Sequence, residues 1–354
     1  MGKAIRRSTV GSGEGGRSTC LAGYTKAVGE AIKETVTLSP LRARLRKRQR
    51  HLGRWAAREG LTAYRVFDRD LPGYHFAVDR YDRYAVVAEY PWKAGDALHL
   101  RRREDLLAAL EAECGIDPGA VRLKTHERHA PGEGQYARAG TDLKVVVREG
   151  PLRFEANLGP YLDTGLFLDH RVTRRWLRSR AAGKRVLNLF CYTGAFTVAA
   201  ASGGAERTVS VDLSRNYLDW AKRNLELNGI AGQHSLVESD VSAFVAGGAP
   251  DRFDLIICDP PPSSTSSRAR RFEIQRHHEG LLLELADWLT VDGAILFSSN
   301  LGGFTLSPKV LERLPGRELT PGSLPEDFRT SAGAGQRTPH RAWLLGEPWL
   351  VANR

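Results

Sequence analysis

Three aspartates, each closing an apolar run, carry most of the chemistry this sequence offers. Asp212 ends Thr208-Val-Ser-Val-Asp212, Asp240 closes the next apolar run, and Asp259 ends Asp254-Leu-Ile-Ile-Cys-Asp259 and leads into Pro260 and Pro261. A buried strand ending in an acid is the expected form of a crevice rim in an open parallel sheet. In such folds a carboxylate about 20 residues beyond the first strand loop accepts both hydroxyls of a ribose, and Asp212 has that place. Asp240 is positioned for the exocyclic amine of an adenine.

The first loop, Cys191-Tyr-Thr-Gly-Ala195, lacks the three-glycine pattern by which a helix N-terminus holds a pyrophosphate. Gly194, next to Tyr192 and Thr193, still lets backbone approach a ligand. Ribose and adenine without pyrophosphate mean S-adenosylmethionine or a related nucleoside. A single aspartate at a strand end is commonly only a helix cap, but an ordered set of three is not explained that way. The rigid Asp259-Pro260-Pro261 presents a carboxylate and backbone carbonyls where a methyl acceptor must sit, which makes these three the catalytic candidates. Taken in isolation, a structural turn accounts for the prolines equally well.

These residues need an alternation of strands and helices to place them. From about Tyr161 a helix near Arg171 leads to a strand at Val186, and a small-residue helix follows Gly194. Ser214 caps a helix running to Asn228-Gly229. Further strands end near Asp240, at Cys258 and at Ser298, and Arg341 to Leu345 forms one more. Such alternation predicts an α/β fold with a mainly parallel, doubly wound sheet.

Ahead of it, residues 39–160 read as a small α+β domain. Ala63 to Phe67, Tyr74 to Val78 and Tyr84 to Tyr90 are expected strands, Arg103 to Cys114 a helix, and Leu143 to Arg148 with Leu152 to Ala156 a hairpin. The domain begins with a basic helix: Leu41, Leu45, Leu52, Trp55 and Ala56 share one side, while Arg42, Arg46, Arg50, Arg54 and Arg58 recur every fourth residue. Eight Arg or Lys and no acid lie between Arg42 and Arg58, so the helix lacks the i, i+4 partners of a self-stabilised surface helix and points to nucleic acid. A second basic group, including Arg268, Arg271 and Arg276 with His277 and His278, follows Asp259 and is expected to line an acceptor phosphate. Residues 1–38, with Gly11-Ser-Gly-Glu-Gly-Gly16 and little apolar content, are expected to be a disordered leader.

The 354 residues carry 52 Lys plus Arg against 41 Asp plus Glu, a net charge of +11 that favours polyanionic partners. Cys20, Cys114, Cys191 and Cys258 form no CxxC pair and have no histidine at ligand spacing, so neither a metal site nor a disulfide framework is expected. No run approaches the roughly 20 apolar residues of a membrane span, and a cytoplasmic location is the expectation.

From about Ser39 to its end the chain resembles the RlmK-type 23S rRNA guanine-N7 methyltransferases, which bacteria often carry fused behind an RlmL half. The resemblance lies in Arg44-Leu-Arg-Lys-Arg48, Trp55-Ala-Ala-Arg-Glu-Gly60, Leu123-Lys-Thr-His-Glu-Arg128 and Tyr161-Leu-Asp-Thr-Gly-Leu-Phe-Leu-Asp-His-Arg171. It continues in Asn188-Leu-Phe-Cys-Tyr-Thr-Gly-Ala-Phe196, Val209-Ser-Val-Asp-Leu-Ser214, Tyr217-Leu-Asp-Trp-Ala-Lys-Arg-Asn224 and Leu324-Pro-Glu-Asp-Phe328. It implies a Rossmann-like class I methyltransferase with a seven-stranded sheet over residues 161–354, behind an RNA-contacting α+β domain. It further implies S-adenosylmethionine held by Asp212, Asp240, Asp259, the Asn188 to Gly194 loop and the segment with Phe167, Asp169 and Arg171, and 23S rRNA or its precursor as partner. The chain departs from that pattern in having Pro262-Ser263 where relatives commonly carry Thr-Phe, which leaves Phe272 or Tyr192 to stack on a flipped base. The RlmL half is not expected in this chain.

Pyrimidine C5 methylation needs a cysteine nucleophile. Cys258 immediately precedes Asp259 on a strand, which directs it to the opposite face, and no cysteine follows it. Guanine N7 offers a lone pair and needs no base, in keeping with a site of acids and no evident histidine dyad. The alternatives are methylation of an exocyclic amine, such as guanine N2, and a non-catalytic RNA-binding or assembly factor.

Overall fold

The computed structural model describes residues 39–91, 96–125, 142–159, 163–264, 272–329 and 338–346. The expected leader, residues 1–38, lies outside them, as do Arg268 and Arg271.

Helix α1 (Pro40–Glu59) starts where Ser39 caps it, with Pro40 in the first turn, and stops at Gly60, which takes the left-handed conformation. Its apolar stripe of Leu41, Leu45, Leu52 and Ala56 is buried. Beneath it lies a sheet of β1 (Ala63–Asp68), β2 (Phe76–Tyr81), β3 (Tyr84–Glu89) and β4 (Val121–Thr125) in that order, with α2 (Ala97–Cys114) beside α1 on the same face. The first three strands run antiparallel, and β4 joins β3 in parallel because a whole helix intervenes, the connection parallel pairing requires.

Three details differ from the sequence expectation. Strand β2 begins at Phe76 because Leu71-Pro-Gly73 forms a turn, closed by Tyr74 N–H to Leu71 O with Gly73 at φ 80°. Helix α2 begins at Ala97, capped by Asp96; its first turns expose Leu98 and Leu100 and so carry no inward periodicity. Strand β4 was not foreseen: in Val-Arg-Leu-Lys-Thr the buried side chain is Lys124, and Leu123 is exposed.

A hairpin of β5 (Lys144–Glu149) and β6 (Leu152–Asn157) follows. It lies between the first sheet and the second half, so that Ala63, Tyr81 and Val86 share a core with Phe154 of the hairpin and with Val198, Leu225 and Phe328 beyond it. A one-turn helix, Leu168–His170, runs into α3 (Arg171–Arg178). There follow β7 (Arg185–Leu189), α4 (Ala195–Ser202), β8 (Arg207–Asp212), α5 (Arg215–Leu227), β9 (His234–Glu238), α6 (Val241–Ala246) and β10 (Phe253–Cys258). The short pair β11 (Ser263–Ser264) and β12 (Phe272–Glu273) precedes α7 (Ile274–Ala286), β13 (Leu289–Ser299), α8 (Pro308–Arg313), β14 (Gly316–Glu318), α9 (Glu326–Arg329) and β15 (Arg341–Leu345).

The seven-stranded sheet has the order β14-β15-β13-β10-β7-β8-β9. Five neighbouring strands, β13-β10-β7-β8-β9, pair in parallel, and β15 lies antiparallel between β13 and β14. The chain winds outward one way from β7 and the other way from β10, so the crevice between their carboxyl ends is the topological switch point where ligands bind in such sheets. Alternate residues fill the two faces: Ile256 and Cys258 pack with Leu187, Leu189 and Phe297, while Leu255 and Ile257 pack with Val186, Phe196 and Leu296.

Candidate active site

The loop after β7 is held open by its own backbone. Phe190 and Tyr192 have φ of 55° and 50° and Gly194 has 72°, conformations that cost non-glycine residues energy and persist where the surroundings fix them. Cys191 N–H donates to Val211 O, and Tyr192 N–H donates to Asp212 Oδ2 at 2.9 Å. A side chain at Gly194 would bring its Cβ within 2.7 Å of Ala221 on α5, so the loop crosses that helix only with glycine there.

Asp212 accepts Tyr192 N–H on one oxygen and Ser214 N–H on the other, each at 2.9 Å. Each carboxylate oxygen keeps a second lone pair for a hydroxyl donor. Burial lifts its carboxyl above the ordinary range, although the backbone amides pull the other way. Asp240 caps α6 through Oδ1 and Ala243 N–H at 2.9 Å, and its other oxygen has no partner among the described residues. An exposed aromatic, Phe167, stands over this end with its ring 5.4 Å from that of Tyr192. A carboxylate with lone pairs left for hydroxyl donors, an aromatic face and a loop without cations suit a nucleoside lacking phosphates, so these residues fit S-adenosylmethionine.

Three residues expected to touch the cofactor have their side chains committed elsewhere. Asn188 donates to Thr197 Oγ1 at 2.9 Å, and Thr193 donates to Gly165 O at 2.6 Å while its carbonyl takes Asn224 Nδ2. Arg171 is buried against Asp327 Oδ1 at 2.9 Å and Ala63 O at 2.8 Å, over the Trp55 ring. Its guanidinium joins the two halves of the molecule.

The other end of the crevice is assembled from distant segments. Asp259, beyond β10, accepts the Ser298 hydroxyl on Oδ1 at 2.5 Å, and its Oδ2 lies 3.6 Å from His170 Nε2. His170 stacks on His340, with centroids 3.9 Å apart and planes at 15°. His340 Nδ1 meets Asp169 Oδ2 at 2.7 Å, and its Nε2 is buried without a partner. Burial lifts the Asp169 carboxyl, but the hydrogen bond from His340 and the nearby positive charge outweigh it, holding Asp169 well below the ordinary range. Burial, reinforced by His340, lowers His170 to about 4, so it is neutral near pH 7.

The expectation of a site without a histidine pair is therefore corrected: His170, stacked on His340, stands beside Asp259. His340 and Ser298 were missed because no local pattern marks them. Asp169, His170 and His340 bring ligand atoms within 4.8 Å of one another. Two near-parallel rings, however, send their lone pairs side by side, not toward one ion.

Burial raises the Cys258 and Cys191 thiols far above neutrality, so neither supplies the thiolate that pyrimidine C5 chemistry demands. Phe272 is buried against Phe190 in the core, which removes it as a stacking platform. His277 accepts Glu273 N–H and His278 accepts Ser307 N–H, while Arg276 pairs with Glu273.

On α1 the basic ridge divides. Arg42 and Arg46 both donate to Glu113 of α2, at 2.8 and 2.6 Å. Arg50 and Arg54 are exposed and pair with no acid among the described residues; with Lys47, His51 and Arg58 they line a shallow concavity.

Comparison with known proteins agrees with this geometry. Residues 99–319 match the family model described as S-adenosylmethionine-dependent methyltransferase. The chain is 42% identical over 323 residues to ribosomal RNA large subunit methyltransferase K of Neisseria meningitidis serogroup B, a match covering 89% of each chain. Its fold resembles a methyltransferase solved in complex with SAH (TM-score 0.70, 24% identity, 88% of this chain and 83% of that one). It also resembles a SAM-dependent methyltransferase from Streptococcus mutans (TM-score 0.68, 24% identity, 88% and 82%). Sheet order, switch-point crevice and these matches agree: the chain belongs to the S-adenosylmethionine-dependent methyltransferases, in the family of ribosomal RNA large subunit methyltransferase K.

Proposed function

We propose that this chain methylates N7 of a guanine in 23S rRNA or its precursor. The observation that carries the reading is Asp259, fixed by Ser298 at the switch point with no nucleophilic thiol near it among the described residues. The identity to an rRNA large subunit methyltransferase supports RNA as the acceptor.

When bound, S-adenosylmethionine supplies an electrophilic methyl group, and its acceptance at N7 leaves a positive charge on the purine. Nothing must be deprotonated. The chain's contribution is orientation, which can provide about 7–11 kcal/mol of the barrier, together with a carboxylate facing the charge as it develops. Asp212 and Asp240 hold the nucleoside, and Asp259 with Pro260 and Pro261 holds the base. Arg50 and Arg54, free of acids, receive RNA phosphates, and Arg42 and Arg46 add to them once drawn from Glu113. The base must be unstacked first, at a cost of a few kcal/mol, which phosphate contacts offset. Residues 39–160 form the RNA-facing unit in this reading, and residues 161–354 form the transfer unit.

The test is transfer of tritium from labelled cofactor to rRNA of a deletion strain, followed by nucleoside mass spectrometry. We expect 7-methylguanosine. N2-methylguanosine would move the chemistry to an exocyclic amine, and absence of transfer with RNA bound would make the chain a non-catalytic assembly factor.

A further inference from the structure

Asp259 and His170 present two acceptors side by side. Thr173 Oγ1 gives its only hydrogen to His170 O at 2.7 Å, so at 3.2 Å from His170 Nδ1 it can only accept. Nδ1 therefore carries the ring proton, and in the neutral ring Nε2 is a bare lone pair. Burial and the adjoining His340 keep the ring neutral. That lone pair lies 3.6 Å from Asp259 Oδ2, too far for a hydrogen bond, and no described residue donates to it. Asp259 cannot swing away, because Ser298 holds its other oxygen, and His170 cannot rotate out of its stack on His340 without losing Thr173.

We propose that Asp259 Oδ2 and His170 Nε2 together read the Watson–Crick edge of the target base and select guanine by demanding two adjacent donors. Guanine N1–H and N2–H₂ meet that demand. Adenine and cytosine each set a bare ring nitrogen beside their amine, and uracil flanks its single N–H with carbonyls. Each of those bases would face at least one of the two acceptors with a lone pair, an unpaired buried contact that costs about 10- to 100-fold. Methylation at N7 withdraws electrons from the ring and makes N1–H and N2–H₂ stronger donors, so the same two acceptors bind the transition state more tightly than the ground state. His170 thereby becomes a specificity residue. This assignment rests on the guanine-N7 reading above.

The probe is an rRNA fragment spanning the mapped nucleotide, made with guanosine, inosine (no N2 amine) or 1-methylguanosine (no N1–H) at that position. In the wild type each analogue should lose about 10- to 100-fold in kcat/KM. In His170→Phe one of the two penalties should vanish while the other, owed to Asp259, persists. His170→Gln, whose amide oxygen can accept, should restore part of the lost discrimination. A merely structural role would depress all three substrates equally. Both penalties persisting in His170→Phe would overturn the assignment. So would a wild type that takes inosine and 1-methylguanosine as readily as guanosine, a measurement that needs no variant to fold. A product other than 7-methylguanosine would instead remove the reading beneath it.

Discussion

Asp212 and Asp259 stand at the rim of one crevice and are built in opposite ways. Asp212 is held by backbone amides of Tyr192 and Ser214, groups that no substitution other than proline removes. Asp259 is held by a side chain, Ser298, and faces His170 without bonding to it, with His340 and Asp169 behind that ring. The cofactor end is thus fixed by the path of the chain, whereas the acceptor end is fixed by composition and can be retuned one residue at a time.

That contrast can be broken or sharpened by experiment. The largest expected effect is at Asp259→Ala, which should lower kcat by about 10²–10³-fold with cofactor affinity by calorimetry unchanged. Equal losses in both would show that the two ends are not separable. Next is acid sensitivity, which should reside in the acceptor end. His170 titrates near 4 in the folded chain and near 6.5 in the unfolded one, so between those values the unfolded chain binds more protons. Stability should fall as the pH drops through that window, by up to about 3 kcal/mol, and urea midpoints for His170→Phe should lose that part of the slope.

Asp212→Ala should weaken cofactor binding by about 10- to 100-fold, as expected for a lost charged hydrogen bond, while leaving RNA binding alone. Ser298→Ala should lower kcat/KM by about tenfold at most; no change would mean that Asp259 is positioned without it. The smallest effect concerns α1. Arg50→Ala with Arg54→Ala should weaken RNA binding and reduce its salt slope by about one per residue, and Arg42→Ala with Arg46→Ala should do so less, because Glu113 already engages both.

The same contrast decides what could be read in advance. The Asp212 end was legible because the groups that hold Asp212 itself, the amides of Tyr192 and Ser214, lie with it in a single strand-loop-helix-strand unit. His340 was not, since its place follows from strand direction: β15 runs antiparallel to β13 and pairs Arg341 with Ser299, so its start, not its end, reaches the rim. Nothing within a few residues of His340 encodes that. The basic helix was legible as a helix from its period. Its pairing with Glu113 was not, because the partner lies 67 residues from Arg46 and 71 from Arg42.

Asp327 receives Arg171 on one oxygen and Arg65 N–H on the other, and its carbonyl takes Arg48 of α1. Breaking such a buried pair costs about 3–5 kcal/mol, so the cationic ridge cannot slide relative to the segment that carries His170. If α1 seats RNA phosphates as proposed, the molecule works as a ruler: those phosphates must lie at one set span from the nucleotide entering the crevice, and an RNA whose bend or loop supplies another span would be rejected on length, before any base is inspected.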